Sequence, residues 1–163
     1  MAIAPQRLGI GLRRFFTTED RHPYDEVVWD RRDARISNFR DGSVAFEQLD
    51  VEVPASWSFN ATNILAQKYF RGTLNTKERE TSLKQVVDRI VDTITAWGIE
   101  GDYFVDEEEA ETFTGELKHL LITQKAAFNS PVWFNIGVKG VPQQGSACFI
   151  LAVEDSMLSL IHI

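Results

Sequence analysis

The sequence of 163 residues predicts a mainly α protein that begins with a loop-rich leader and reaches one buried strand near its end. Three observations predict this class. Apolar residues recur at intervals of three and four through the middle of the chain, which is typical of amphipathic helices. Pro, Gly and Asp residues interrupt the first 54 residues, and residues 147–153 form a short β-rich apolar run. The 44% of apolar residues can supply one hydrophobic core, which disfavours intrinsic disorder.

The leader, residues 1–54, is expected to be largely extended. Two X-Pro pairs, His22-Pro23 and Val53-Pro54, disfavour helix at the residue before each proline. Asp41-Gly42 marks a turn between two apolar runs, and alternating apolar residues then predict a short hairpin within residues 39–53.

Residues 55–127 are predicted to form a domain of three helices. Ser58 is the expected N-cap of the first helix, which ends near Arg71 because Gly72 follows. The second helix begins at Thr81 or Ser82, and Gly98 is its expected left-handed C-cap. Its apolar stripe consists of Leu83, Val86, Val87, Ile90, Val91, Ile94 and Trp97.

The third helix begins at the acidic run 106–109. Successive helical residues point in different directions and no histidine lies in the run, so favourable placement at the positive end of a helix is a better interpretation than a metal site. His119 has no cysteine nearby and is expected at the surface or hydrogen-bonded. The predicted buried face consists of Ala110, Phe113, Leu117, Leu120 and Leu121.

Composition excludes several classes of function. The formal net charge is −7, which argues against a duplex nucleic-acid binder. No apolar stretch approaches the roughly 20 residues of a membrane helix, and the N-terminus lacks a secretory signal, so a cytoplasmic protein is expected. The single cysteine permits no internal disulfide and no zinc site built from cysteines.

Two segments contain candidate functional residues. In Asn129–Asn135, the residue Ser130 precedes a proline and is expected to be extended, so that its hydroxyl faces an anionic oxygen such as a phosphate. The alternative is a turn whose two aromatic residues fill the core. Cys148 is either a reactive thiol or, as a lone cysteine in an apolar strand, a small buried hydrophobe. The residues by themselves leave the function open.

Four segments together resemble a known family. They are Val28-Trp-Asp-Arg-Arg32, Leu65-Ala-Gln-Lys-Tyr-Phe-Arg-Gly72, Phe128-Asn-Ser-Pro-Val-Trp-Phe-Asn-Ile-Gly137 and Gln144-Gly-Ser-Ala-Cys-Phe-Ile150. In this order they resemble the N-terminal part of an adenosylcobalamin-dependent (class II) ribonucleotide reductase, over residues 20–157. The segments around Ser130 and Cys148 are the most specific of the four.

The resemblance implies a fold and a chemistry. Residues 128–157 would start the catalytic domain, with the strand at Cys148 opening a ten-stranded α/β barrel that is otherwise missing from this sequence. The enzyme would be an oxidoreductase that makes 2′-deoxyribonucleotides for DNA synthesis. Homolysis of the cobalt–carbon bond of adenosylcobalamin would generate a cysteine thiyl radical, which removes the 3′ hydrogen of the ribonucleotide. Water then leaves C2′, and a cysteine pair reduces the product.

The resemblance also implies roles for individual residues. Cys148 would belong to the reducing pair, Ser130 would bind the substrate phosphate, and Ala147 would contact the ribose region through its backbone. Asp155 would bind a deoxynucleotide effector. A thioredoxin-like reductant and a homodimer would complete the enzyme. Residues 158–163, which include His162, depart from the family pattern and form an atypical tail.

Two other interpretations remain open on the sequence. One is a non-enzymatic helical interaction domain that uses its acidic surface, with Cys148 as core filling. The other keeps the reaction and replaces adenosylcobalamin with a diiron subunit as the source of the radical.

Overall fold

The computed structural model describes residues 9–149 and 154–158. Within these residues helix is the dominant structure, so the mainly α class is confirmed for the described part of the chain. The elements are a 3-10 turn Pro23–Glu26, β1 Trp29–Ser37, β2 Val44–Pro54, α1 Phe59–Ile64, a π-helical turn Leu65–Tyr69, α2 Leu83–Glu100, α3 Glu107–Ile122 and α4 Ser130–Asn135. No helix in the described ranges is both long enough and apolar enough to cross a membrane.

The leader contains more regular structure than the sequence indicates. Strands β1 and β2 pair antiparallel, from Trp29 opposite Pro54 to Ser37 opposite Val44. The predicted turn is correct, because Gly42 lies in the connection with a φ of 71°. The predicted short hairpin within residues 39–53 is wrong, since its first strand lies upstream of residue 39. A register shift between Arg32 and Ala34 interrupts the alternation of β1, which hides this strand from a period-two pattern.

The first predicted helix is confirmed at both ends. The Ser58 hydroxyl accepts a hydrogen bond from the backbone N–H of Ala61 at 3.1 Å. The helix then widens into the π-helical turn, in which the N–H of Phe70 donates to the carbonyl of Leu65 at 3.1 Å. Gly72 follows with a φ of 83°, and a Cβ there would lie 2.2 Å from the carbonyl oxygen of Glu78. This position therefore requires glycine.

The second helix supplies the centre of the core, although two details of its prediction are wrong. Ser82 is the N-cap, within a capping box. Trp97 is 42% exposed, so the buried stripe ends before it. Gly98 is a helical residue and the helix continues to Glu100. The ring of Phe104 packs against Gly98 so closely that a Cβ there would lie 2.5 Å from its Cε2 atom, so Gly98 serves packing and not termination.

The third helix begins at the predicted acidic run. Asp106 is the N-cap and accepts a hydrogen bond from the N–H of Glu109 at 2.9 Å, which confirms the capping interpretation. No cluster of three His, Cys, Asp or Glu side chains in the described residues could hold a metal ion. His119 is neither at the surface nor hydrogen-bonded through Nδ1, contrary to the prediction. Its Nδ1 atom is buried without a hydrogen bond and lies 3.6 Å from a carboxylate oxygen of Glu26.

The buried surface of α3 is only partly apolar. Ala110 and Leu121 are buried as predicted, but the other residues of the predicted face are only partly covered. The buried polar residues of this helix are Glu109, Thr112, Glu116 and Lys118. The carboxylate of Glu116 accepts hydrogen bonds from the backbone N–H groups of residues 15–17. Residues 15–17 thus cover α3 through backbone hydrogen bonds. A pattern of apolar residues cannot predict such a contact.

Candidate functional site

The candidate site is built around the short helix α4. Asn129 is extended, with φ −65° and ψ 159°, and Ser130 is the first helical residue. The expectation that Ser130 itself is extended is therefore wrong. Proline is well tolerated in the first turn of a helix, where its missing N–H is not needed, so Pro131 continues the helix. Of the two aromatic residues expected to fill the core in the alternative interpretation, Trp133 is buried and Phe134 is only half-buried. The Nε1 atom of Trp133 donates to the carbonyl of Phe128 at 2.9 Å.

The Ser130 hydroxyl is exposed and close to a second hydroxyl. Its Oγ atom lies 3.2 Å from the Oη atom of Tyr69, the last residue of the π-helical turn. The Tyr69 ring is stacked on Phe134, with centroids 5.1 Å apart and an interplanar angle of 21°. The site therefore presents two neighbouring hydroxyl groups at the surface.

Two arginines fix the carbonyl end of α4. Arg89, on α2, donates to the carbonyls of Trp133 at 2.8 Å and Ile136 at 2.9 Å. The Arg71 Nε atom donates to the carbonyl of Phe134 at 2.7 Å. The last carbonyls of a helix lack partners within the helix, and cations there are stabilising. These two side chains therefore hold α4 against the helical core.

The carboxylate of Glu80 is bonded to both Arg89 and Arg71. Glu80 accepts a hydrogen bond from Nε of Arg89 at 2.7 Å, and its second oxygen accepts from the backbone N–H of Arg71 at 2.7 Å. The side chains of Glu80 and Arg89 are each 11% exposed. Arg79 lies beside them and donates to the carbonyl of Phe70 at 2.8 Å. We call Arg71, Arg79, Glu80 and Arg89 the arginine network.

The arginine network has an excess of positive charge. Burial and then the charge of Arg89 lower the pKa of Arg71. Burial likewise lowers the pKa of Arg79. Guanidinium groups nevertheless stay protonated at neutral pH. The arginine network thus contains three guanidinium groups and one carboxylate, which forms its ion pair with Arg89. Sequence reasoning missed these residues, because the contacts that define the network join α4 to positions more than 40 residues earlier.

The chain folds back onto α4 after residue 136. Gly137 has a φ of 75°, and a Cβ there would lie 2.1 Å from the carbonyl oxygen of Arg89. The side chain of Gln143 accepts from the N–H of Gly137 at 2.8 Å and donates to two carbonyls of the same loop. Asn135 Nδ2 donates to the carbonyl of Gln144 at 3.0 Å. These bonds fix the start of the segment that leads to Cys148.

Cys148 does not occupy the buried strand that the sequence predicts. Ala147 and Cys148 are exposed, and residues 147–149 have no strand structure. The rest of that predicted strand, residues 150–153, lies outside the described residues. The physical reason is the absence of a neighbour, because the only sheet in the described ranges is the pair β1 and β2. Whether this strand opens a barrel stays a prediction.

The predicted site residues are not all brought together. No hydrogen bond or ion pair between described residues joins Cys148 to Ser130 or to Asp155. Asp155 is exposed, in the short described stretch 154–158. His162 and the rest of the tail after Leu158 lie outside the described residues. The structure therefore defines the Ser130 part of the site in detail and gives Cys148 only as an exposed thiol.

Comparisons with known proteins agree on one family. The family described as class II vitamin B12-dependent ribonucleotide reductase matches residues 30–124, which is more than half of the chain. Relatives called vitamin B12-dependent ribonucleotide reductase include one from Streptomyces clavuligerus, 55% identical over 153 residues that make up 94% of this chain. Another, from Rhodopirellula baltica, is 37% identical over 191 residues and 99% of this chain.

The relatives are much longer than this chain. The aligned region is 16% of the Streptomyces clavuligerus protein and 18% of the Rhodopirellula baltica protein. A third relative of the same name, from Agrobacterium fabrum, is 33% identical over 91% of this chain and 16% of its own length. On the match over residues 30–124, the chain belongs to the class II vitamin B12-dependent ribonucleotide reductase family.

Proposed function

We propose that this chain forms the N-terminal segment of an enzyme that reduces ribonucleotides to 2′-deoxyribonucleotides, and that it supplies part of the substrate site. The structural observation that carries the proposal is the exposed Ser130 hydroxyl on a helix held in place by Arg71 and Arg89. Family membership favours this function over a non-enzymatic acidic interaction domain. The names of the relatives favour vitamin B12 over a diiron subunit as the source of the radical.

Ser130 is proposed to bind the substrate phosphate. A hydroxyl donates one hydrogen bond, and such a bond to a charged oxygen is stronger than one between neutral groups. The helix that presents Ser130 cannot shift easily, because its carbonyl end is bonded to the arginine network. Ala147 is proposed to contact the ribose region through its backbone. Its exposed position leaves that backbone accessible.

Cys148 is proposed to be one of two reducing thiols. Loss of the 2′-hydroxyl as water and formation of a C2′–H bond require two electrons and two protons. Two thiols supply both by forming one S–S bond, with one proton ending in the water and the other in the C2′–H bond. Cys148 is the only cysteine of this chain, so the second sulfur must belong to another part of the enzyme. The exposed thiol is accessible to such a partner. A thioredoxin-like dithiol would then reduce the disulfide by thiol–disulfide exchange.

The described residues do not fit adenosylcobalamin on their own. The cleft between the N-terminal segment and α3 measures about 470 Å³, and the cleft beside β2 measures about 490 Å³. Cavities of roughly 300–1,000 Å³ hold drug-sized ligands, and a corrin with its two nucleoside-containing ligands is much larger. We therefore propose adenosylcobalamin as the cofactor of the whole enzyme and place no part of its site on these residues.

Allosteric control is proposed to involve Asp155. Its exposed carboxylate can accept hydrogen bonds from a deoxynucleotide effector. A homodimer is the proposed assembly of the complete enzyme. Both proposals rest on the family resemblance.

A hybrid enzyme tests the proposed function. Residues 1–157 of this chain would replace the matching segment of the Streptomyces clavuligerus relative, and deoxyribonucleotide formation would be measured with a dithiol reductant. We expect Cys148→Ser to abolish multiple turnovers while the thiyl radical, observed by paramagnetic resonance, still forms. Ser146→Ala is the matched control at a neighbouring exposed position. Full multiple turnover by Cys148→Ser would refute the role of this thiol.

The same hybrid tests Ser130. Loss of one hydrogen bond to a charged group costs about 1–3 kcal/mol, so Ser130→Ala should weaken substrate binding roughly 5- to 150-fold. Isothermal calorimetry with the ribonucleotide measures this directly. An unchanged dissociation constant would remove Ser130 from the substrate site.

A further inference from the structure

Tyr69 is placed beside Ser130 by an unusual backbone feature. A π-helical turn adds one residue to the turn, which rotates the following side chains by about 100° relative to a continuous α-helix. Tyr69 is the last residue of this turn, and its Oη atom lies 3.2 Å from Oγ of Ser130. Such turns occur frequently at functional sites. Without the extra residue the Tyr69 ring would point to a different neighbour.

The ring of Tyr69 is held independently of its hydroxyl. It is stacked on Phe134 and also contacts Trp133, with centroids 6.0 Å apart. The backbone carbonyl of Tyr69 accepts a hydrogen bond from Arg89 at 3.2 Å. The hydrogen bond to Ser130 is at the surface, where water would satisfy either hydroxyl equally well. Packing and not this bond therefore fixes the position of the phenol.

The surroundings of the two hydroxyls favour an anion. Two guanidinium groups of the arginine network, those of Arg71 and Arg89, bond to carbonyls of α4, and Arg89 also bonds to the carbonyl of Tyr69. One carboxylate, that of Glu80, pairs with Arg89. Arg71 lies with its Cζ atom 5.4 Å from the centroid of the Phe134 ring on which Tyr69 is stacked. Partly buried charges are screened less than exposed ones, so the net positive charge of Arg71, Arg89 and Glu80 favours an anion bound beside Tyr69.

We propose that Tyr69 is a second hydroxyl ligand of the substrate phosphate, because its Oη atom lies 3.2 Å from Oγ of Ser130 and its backbone is bonded to Arg89 of the arginine network. This inference rests on the proposed phosphate-binding role of Ser130. Each hydroxyl has one hydrogen to donate, and two donors at this spacing can bond to oxygens of one phosphate group. The pair would therefore recognise the 5′-phosphate of a ribonucleotide and not its base or ribose.

The proposal predicts a specific kinetic signature. The 5′-phosphate is not altered by reduction at C2′, so its contacts stabilise the bound substrate and the transition state equally. Removal of such uniform binding raises KM and leaves kcat unchanged. A residue that only supported the fold would instead alter the stability of the chain or the turnover rate.

The test uses Tyr69→Phe in the hybrid reductase. This change removes one oxygen and keeps the ring that packs on Phe134. Tyr103→Phe is the matched control, because it removes the same atom from a side chain that is 60% exposed. We expect KM and the calorimetric dissociation constant for the ribonucleotide to rise about tenfold in Tyr69→Phe, with kcat within twofold. Tyr103→Phe should change neither, and the urea midpoint of the 163-residue chain should be unaffected by either variant.

Each alternative result overturns a defined part of the reasoning. If Ser130→Ala weakens binding and Tyr69→Phe does not, Tyr69 is not a ligand and the proposed function stands. If neither variant weakens binding, the phosphate site itself is wrongly placed. A fall in kcat without a change in affinity would assign Tyr69 a different role and refute the proposal. Calorimetry reports binding without turnover, so an inactive hybrid still gives a result.

Discussion

Substitution of Gly137 by alanine tests how the segment after α4 is fixed to α2. Gly137 has a φ of 75°, a conformation that costs an L-residue about 1–2 kcal/mol. A Cβ at this position would also lie 2.1 Å from the carbonyl oxygen of Arg89, which is backbone in the middle of α2. Overpacking of this kind costs about 1–3 kcal/mol. We therefore expect Gly137→Ala to reduce the free energy of unfolding by about 2–5 kcal/mol.

Gly140 is a control that separates the two contributions. It has the same φ of 75°, and nothing lies within 4 Å of the position where its Cβ would be. Gly140→Ala should therefore cost only the conformational part, about 1–2 kcal/mol. Urea denaturation followed by circular dichroism gives both values, and a domain of this size has about 5–15 kcal/mol in total. Equal losses in the two variants would refute the close approach of Gly137 to α2.

Two further predictions concern buried carboxylates. Glu80→Gln leaves Arg89 buried without its counter-ion and should reduce the free energy of unfolding, measured by urea denaturation, by about 3–5 kcal/mol. The control Asp50→Asn breaks an exposed ion pair and should reduce it by less than about 1 kcal/mol. Similar losses in the two variants would contradict the importance of burial. Although burial opposes the shift, bonds from Thr17 and from the backbone lower the pKa of Glu116 below its ordinary 4.5. Its stabilisation is therefore complete above pH 4.5 and is lost as the pH falls through the lowered pKa. The protection of the Phe16 amide against hydrogen exchange, relative to an unfolded peptide at the same pH, should fall in that range and be low at all pH values in Glu116→Gln. Protection that does not depend on pH would exclude this linkage.

The local elements of the fold were predictable because the interactions that define them are close in sequence. Ser58 and Asp106 cap helices through bonds to residues three positions later. The apolar stripe of α2 repeats with the helical period and fills the core from Leu83 to Val91. Local sequence patterns gave the wrong prediction where a residue outside the helix determines the structure. Gly98 is typical of a C-cap in sequence, yet the Phe104 ring accounts for it.

The candidate site was predictable only as a set of residues. The sequence motifs indicated Ser130 and Cys148, which lie after the family match over residues 30–124, so their roles stay predictions. The sequence predicted the wrong burial state for Cys148, because burial of a strand depends on neighbours and none lies beside it in the described residues. Nor did it indicate the partner of Ser130, since Tyr69 precedes it by 61 positions.

The amino-acid sequence by itself determined where α1, α2 and α3 begin, which residues of α2 fill the core and to which family the chain belongs. Tertiary structure decided which side chains meet around α4. Arg71 and Arg89 bond to carbonyls of residues 133–136, and Glu80 accepts bonds from the Arg89 side chain and from the backbone N–H of Arg71. The physical reason is that helix formation depends on bonds and apolar periods within a few residues. A charged network, in contrast, depends on the packing of segments that only the complete fold brings together.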